Sequence, residues 1–224
     1  MAKLVYQRSN GKWEARYKKG VSEKGKILYG TVYGNTKEEA IRRREEVLGY
    51  NPEAPIEHTR LNLLILGAGT HGKDVKDIAE GLRVFNKIAF LDDHKTGEDI
   101  IGKCKDALKY KSEYPCAFIA IGNNKIRKKY AKLLKDCKFL IPNIISPSAT
   151  ISPNAVIGEG VVVMPQSTIG SSTIGDFAIL ASNCLVNSNS KLGDYVHIDC
   201  GGIVLKDSKV DDGTQVKSGE IYKK

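Results

Sequence analysis

No stretch of apolar residues in this chain approaches the ~20 needed to cross a bilayer, and Met1–Asn10 has no apolar core of the kind that opens a secretory leader. No membrane partner is expected, and the expected location is cytoplasmic. The five cysteines, Cys104, Cys116, Cys137, Cys184 and Cys200, are scattered without a CxxC pair. The sequence therefore offers neither zinc-ligand spacing nor a disulfide framework, and no metal is expected. Acidic residues are in deficit: 26 Asp and Glu stand against 35 Lys and Arg, for a formal charge of +9. That surplus favours anionic partners without choosing among them. A length of 224 residues allows one or two domains and a small appendage.

What the chain has in abundance is a period. From Ile145 to Lys224 an aliphatic residue recurs at almost every sixth position: Ile145, Ile151, Ile157, Val163, Ile169, then Ile174, Leu180, Val186, Leu192, Ile198, Val204, Val210 and Val216. One residue is missing between Ile169 and Ile174. Four places after most anchors stands a small or β-branched residue, among them Ala149, Ala155, Ser167, Ala178, Cys184, Ser190 and Ser208. A helix needs a period near 3.6 and an ordinary strand needs 2, so a sustained period of 6 belongs to neither alone. It fits a β-helix in which three hexads make one triangular coil and anchors point into the prism, giving about four coils. The small residues are expected at the corners, where neighbouring coils stack at strand spacing. A Gly/Ser-rich β-sandwich would instead show irregular strand lengths and hairpin signals.

Upstream, the apolar run Leu61-Asn62-Leu63-Leu64-Ile65-Leu66 leads straight into Gly67-Ala68-Gly69-Thr70-His71-Gly72, and Lys73 to Leu82 reads as a helix. In a strand, G-x-G-x-x-G, helix arrangement the glycines let backbone amides at a helix N-terminus approach a phosphate. A second strand, Lys87–Leu91, ends in Asp92-Asp93, where an acidic side chain would meet a ribose or sugar hydroxyl. A third, Cys116–Ile121, ends in Gly122-Asn123-Asn124 before a basic helix from Lys125 to Leu134. One crevice is expected at the C-terminal edge of all three strands. His71 has two readings, a site residue or a helix-start side chain bonding nearby backbone.

The N-terminal fifty residues read as a unit of their own. Trp13–Tyr17 and Lys26–Tyr33 are strand-like around a polar turn at Gly20–Gly25, and Thr36-Lys37-Glu38-Glu39 is a T-x-x-E signature opening a helix to about Leu48. Trp13 is expected to pack beneath that helix. The predicted domains are 1–50, a Pro-containing linker at 51–60, 61–143 and 144–224.

In order and spacing, G-A-G-T-H-G, F-L-D-D, A-I-G-N-N and the run I-S-P-S-A-T-I-S-P-N-A-V-I-G-E-G-V-V-V-M-P resemble the sialic acid O-acetyltransferase and UDP-amino-sugar N-acetyltransferase family of bacterial glycan synthesis. The resemblance spans about residues 61–220. It implies a mixed α/β and all-β chain: a small Rossmann-like α/β domain, then a left-handed parallel β-helix, here preceded by the β-sheet-plus-helix module. It further implies an acyltransferase that trimerises, takes acetyl-CoA between subunits as acyl donor, and acts on a nucleotide sugar or amino sugar. Gly67, Gly69, His71, Gly72, Asp92, Asp93, Gly122 and Asn123 would be the sugar-site residues; Thr70 stands where the family usually has glycine. The family base is a histidine in a Glu-His-Glu-like triplet, and alignment through Val186 and Leu192-Gly193 places Asn187-Ser188-Asn189 there. Ser188 is a poor base at neutral pH, which leaves His197, matching a second family histidine, as the substitute. A His197 exposed at a solvent-facing corner is the competing reading. Residues 1–50 resemble the AP2-like domain of phage-type integrases through Gly11-Lys12-Trp13, Ala15-Arg16 and Glu38-Glu39-Ala40. Weak DNA binding through Arg8, Lys12, Arg16, Lys18 and Lys19 is one implication, and a docking module the other. A catalytically silent, sugar-binding or scaffolding relative is the alternative to an enzyme.

Overall fold

The computed structural model describes residues 5–21, 27–47 and 60–224. The chain divides into two compact units, 1–58 and 59–224. The predicted linker and most of the Gly20–Gly25 turn lie outside the described residues, as do the side chains of Lys18 and Lys19.

The first unit is an antiparallel sheet of β1 (Val5–Gln7), β2 (Trp13–Val21) and β3 (Ile27–Gly34) with helix α1 (Lys37–Val47). The short β1 was not legible in the sequence. Thr36 caps α1 as expected, its Oγ1 accepting the Glu39 N–H at 3.1 Å. The Glu39 carboxylate reaches one residue further back than a capping box requires, accepting the Asn35 N–H at 2.6 Å. Trp13 is half-buried, with the Lys37 ammonium 6.0 Å from its ring centre. Glu14 is buried and accepts from the Tyr6 hydroxyl, Arg16 and Arg8, which lowers its pKa to about 2. Two of the basic residues expected to meet phosphates are thus engaged by a carboxylate.

The second unit begins with β4 (Leu61–Leu66), α2 (Thr70–Leu82), β5 (Phe85–Leu91), β6 (Ile100–Gly102), a 3-10 turn (Cys104–Tyr110), β7 (Cys116–Ile119) and α3 (Asn124–Asp136). The sheet order is β6-β5-β4-β7 with every pairing parallel. A parallel sheet covered on both faces needs near-continuous apolar strands, as in Leu63–Leu66 and Cys116–Ile119. The fourth strand, β6, was not expected. α2 begins at Thr70 rather than Lys73, so the last glycine of the G-x-G-x-x-G run is helical.

Residues 144–222 form two-residue strands in three parallel sheets, a β-helix of hexads. Stacked partners lie eighteen residues apart, as in Ile144 with Val162 and Leu185 with Ile203, and seventeen across the missing residue, as in Thr168 with Leu185. The anchors from Val163 to Val216 are buried in one cluster. The structure corrects the placement of the small residues: Ser167, Ala178, Cys184, Ser190 and Ser208 are buried and fill the prism rather than forming its turns. The turn is made one residue earlier by left-handed backbone, at Gly160, Gln166, Phe177, Asn183, Asn189, Tyr195, Gly201, Asp207, Gly213 and Gly219. The shortened hexad after Ile169 has no such residue, because the deletion falls there.

The outward side chains of one prism sheet explain how the two parts join. Ile144, Val162 and Ile179 stack in register and pack with Leu63, Ile65, Val75, Ile78 and Phe118 in one core. The same ladder continues as His197 and Gln215. The outward row therefore changes from apolar to polar, and a candidate site sits where it does.

Candidate active site

In an open parallel sheet the crevice forms where strand order reverses, here between β4 and β7, whose neighbours lie on opposite sides. The loop after β4 lies directly on the end of β7. Gly67 has φ +104°, and a Cβ there would sit 2.8 Å from the Ala120 carbonyl oxygen. A Cβ at Gly72 would meet the Gly67 carbonyl oxygen at 2.0 Å, so this glycine lets α2 start against the loop. Gly69 is the N-cap of α2 and supplies no side-chain acceptor. Unbonded amides at a helix start suit an anionic group.

A cavity of about 340 Å³ opens beside this loop, lined by Gly67, Gly69, Thr70, His71, Asp92, Asp93, His94, Cys104, Ala120, Ile121, Gly122, Ile126 and Tyr130. Six of the eight predicted sugar-site residues are among them. Gly72 and Asn123 are not: Gly72 packs as described, and Asn123 caps α3 by accepting the Ile126 N–H at 3.1 Å. The two aspartates are already engaged. Asp92 accepts backbone N–H groups from Ala68 (2.8 Å), His94 (2.9 Å) and Lys95 (2.8 Å). Burial opposes its ionisation, yet these amides outweigh it and its pKa falls below the usual value. Asp93 accepts the Tyr130 hydroxyl and the Cys104 N–H at 3.0 Å. Burial and then Asp93 push the Cys104 thiol up to about 12, which makes it an inert wall residue.

His71 lines the cavity with its Nε2 buried and unpartnered. Burial first, then His197 and Arg127, lower its pKa to about 4, so it is neutral at physiological pH. The reading of His71 as a side chain bonding helix-start backbone gains no support at Nε2.

His197 is not at a solvent-facing corner. It lies in a prism strand, its side chain is 15% exposed, and a Cβ on Gly122 would sit 3.8 Å from its Cε1. It thus meets the cavity wall from the prism side. Its Nε2 is 3.0 Å from Asp199 Oδ1, and Gln215 Nε2 donates to Asp199 Oδ2 at 2.8 Å. Burial lowers the His197 pKa, against the opposing pull of Asp199.

Ser188 is not among the residues lining this cavity. It is on the turn after the Leu185–Val186 strand, its N–H donating to Asn187 Oδ1 at 2.8 Å and its carbonyl accepting the Asp207 N–H at 3.1 Å.

The residue that fixes the seam was missed in the sequence. Arg127 of α3 is 1% exposed and donates to the carbonyls of Ile121 (2.9 Å), Gly122 (2.9 Å), Phe177 (2.8 Å) and Tyr195 (2.7 Å), and to Asn124 Oδ1 (2.7 Å). It ties the crevice loop to two prism turns stacked one coil apart. Burial lowers its pKa to about 10, so it is still charged at neutral pH. Its signal was visible: it shares the i, i+3, i+4, i+7 face of Tyr130, Ala131 and Leu134. Asp199 and Gln215 carried a signal too, at two and eighteen residues from His197. No cluster of side chains suited to a metal exists among the described residues. On another prism sheet Lys191 and Lys209 stack in register beside a cavity of about 480 Å³ that Asp211 and Asp212 also line.

Comparison with known proteins places this geometry. Residues 62–134 match the PglD N-terminal domain family. The acetyltransferase domain of PglB from Neisseria gonorrhoeae, solved with acetyl coenzyme A, is 30% identical, with a TM-score of 0.61 over 71% of this chain and 83% of that one. Residues 59–224 belong to this acetyltransferase family. A mutant of perosamine N-acetyltransferase from Caulobacter crescentus, in complex with CoA and GDP-perosamine, is 25% identical with a TM-score of 0.65, covering 72% of this chain and 88% of that one. UDP-N-acetylbacillosamine N-acetyltransferase of Bacillus subtilis is 36% identical over 46% of this chain. An uncharacterized protein of Acanthamoeba polyphaga mimivirus is 38% identical over 54% of it. The chain spans about half the length of the Bacillus relative (51%) and a quarter of the viral one (25%). Among the described residues, no helix is long and apolar enough to cross a membrane.

Proposed function

We propose that residues 59–224 transfer an acetyl group from acetyl-CoA to an amino or hydroxyl group of a nucleotide-linked sugar. The observation that carries this reading is the glycine-lined crevice at the sheet's switch point, with His197 packed beside its Gly122 wall. Relatives solved with acetyl coenzyme A, and with CoA and GDP-perosamine, support it. The amides at the start of α2 and the crevice loop hold the sugar nucleotide. His197 is the base. The acceptor attacks the thioester carbonyl, forming a C–N or C–O bond while His197 takes the acceptor's proton. Collapse of the tetrahedral intermediate breaks the C–S bond, and His197 returns the proton to the departing thiolate.

The test is thiol release from acetyl-CoA with a panel of UDP- and GDP-linked amino sugars. Turnover is expected, falling by roughly 10²–10⁴ in His197→Ala. Turnover unchanged in His197→Ala removes that residue as the base. One observation favours a second reading, a catalytically silent sugar-binding or scaffolding relative: Asn187-Ser188-Asn189, which the resemblance aligns with the histidine-bearing triplet, holds neither imidazole nor carboxylate. Sugar-nucleotide binding without any thiol release is its signature.

The active assembly in this reading is a homotrimer in the cytoplasm, tested by sizing at several concentrations. Weak DNA association of residues 1–50 rests on their basic residues, of which Arg8 and Arg16 are held by Glu14. It is tested by salt-dependent retention of the full chain on DNA.

A further inference from the structure

We infer that Asp199 and Gln215 are positioning residues that fix the tautomer of His197, leaving Nδ1 as the atom that accepts the proton. The inference rests on the acetyl-transfer reading above. It starts from an asymmetry on the prism: Asn187-Ser188-Asn189 holds no acid or imidazole, whereas His197 stands beside a carboxylate that has its own support in Gln215.

The support follows from the fold. His197 and Gln215 are register partners in adjacent coils, so their side chains project outward side by side. Asp199 lies two residues after His197, past the inward anchor Ile198, and its carboxylate bridges them: Oδ1 is 3.0 Å from His197 Nε2 and Oδ2 accepts from Gln215 Nε2 at 2.8 Å. A carboxylate only accepts hydrogen bonds, so with Asp199 at Nε2 the neutral imidazole carries its proton there, in competition with the Gly122 backbone acceptor that also holds the ring. The Gln215 amide occupies the second carboxylate oxygen and keeps Asp199 from rotating away. Arg127, still charged at neutral pH, disfavours a charged His197 ring, whereas His71 is itself neutral there. Asp199 is the group that offsets Arg127 when the proton arrives.

Gln215 makes a sharp test available. In Asp199→Asn, the asparagine oxygen is claimed by the Gln215 amide, which turns the asparagine NH₂ toward His197 Nε2. That nitrogen must then accept, and the imidazole proton moves to Nδ1. Removing the glutamine donor as well, in Asp199→Asn with Gln215→Leu, frees the asparagine carbonyl to face His197 again. We expect ¹⁵N NMR of the full chain to show the Nε2–H form in the wild type, the Nδ1–H form in Asp199→Asn, and a return toward Nε2–H in the double variant. Turnover should fall roughly 100-fold in Asp199→Asn and recover about tenfold in the double variant, with KM for acetyl-CoA within about twofold throughout. The acid limb of the kcat/KM profile should move to lower pH in Asp199→Asn, because the charge that favours imidazolium is gone.

An unchanged tautomer in Asp199→Asn, or a double variant no better than the single one, overturns the assignment. Absence of turnover in every variant, with the tautomer still following Asp199 and Gln215, defeats acetyl transfer and leaves the tautomer assignment standing.

Discussion

The interior of the prism and the seam against it are both buried, yet they are built by opposite means. The prism repeats one solution: an aliphatic anchor, then a small residue, coil after coil, with Ser172 Oγ donating to Asn187 O (2.7 Å) and Ser190 Oγ to Leu205 O (2.8 Å), while the buried Ser208 Oγ has no partner. The seam repeats nothing. One buried guanidinium gathers four carbonyls and one side-chain oxygen from three separate segments, and an imidazole held neutral stands beside it. Stability in the prism is distributed over equivalent layers. In the seam it is concentrated in single residues.

The largest effect should therefore come from the seam. Arg127→Leu strands the carbonyls of Phe177, Tyr195 and Ile121 in a buried site and should cost about 4 kcal/mol in urea denaturation. Arg127→Lys should recover little of it, since an ammonium cannot match the planar fork. Leu180→Ala, one layer of the prism, should cost about 3 kcal/mol. A prism loss larger than the Arg127→Leu loss would reverse the comparison.

The pH response separates the two regions further. Unfolding frees His71 to titrate near 6.5, whereas in the folded chain it titrates at about 4. Between those values the unfolded chain binds more protons, so stability present above pH 6.5 is lost as pH falls toward 4, by about 2 to 3 kcal/mol. In His71→Gln that component should vanish while the Leu180→Ala decrement stays the same at both pH values. A slope that persists in His71→Gln would place the titrating group elsewhere. The smallest effect is Ser190→Ala, which removes one donor to Leu205 O and should cost about 1 kcal/mol.

Repetition is also why the prism was legible in the sequence and the seam was not. A period of six, read down Ile145 to Val216, announces inward anchors without any knowledge of neighbours. Even so, it assigned the small residues to the turns, because sequence spacing marks which positions are crowded and not which carry left-handed backbone. The crevice was legible as strand ends followed by glycines, and six of the eight residues named for it line one cavity. What those residues do there was less visible: Asp92 is occupied by the local amides of His94 and Lys95 and by the distant Ala68 N–H, and Asp93 by Tyr130, thirty-seven residues on. Arg127 carries the helix-face period of Tyr130, Ala131 and Leu134, but the carbonyls of Phe177 and Tyr195 that it binds are identified only once the prism turns are brought against it. Long-range carbonyl partners leave no periodic trace.

The acetyl-transfer account is tested most directly by determining the structure of the full chain with CoA and a nucleotide-linked amino sugar together. The account predicts the nucleotide sugar in the crevice between Gly67–Gly72 and Gly122, with the acceptor nitrogen within hydrogen-bond reach of His197 Nδ1 and the CoA sulfur on the same side. A sugar bound in that crevice with its amine directed away from His197, or CoA failing to occupy the prism at saturating concentration, would contradict it.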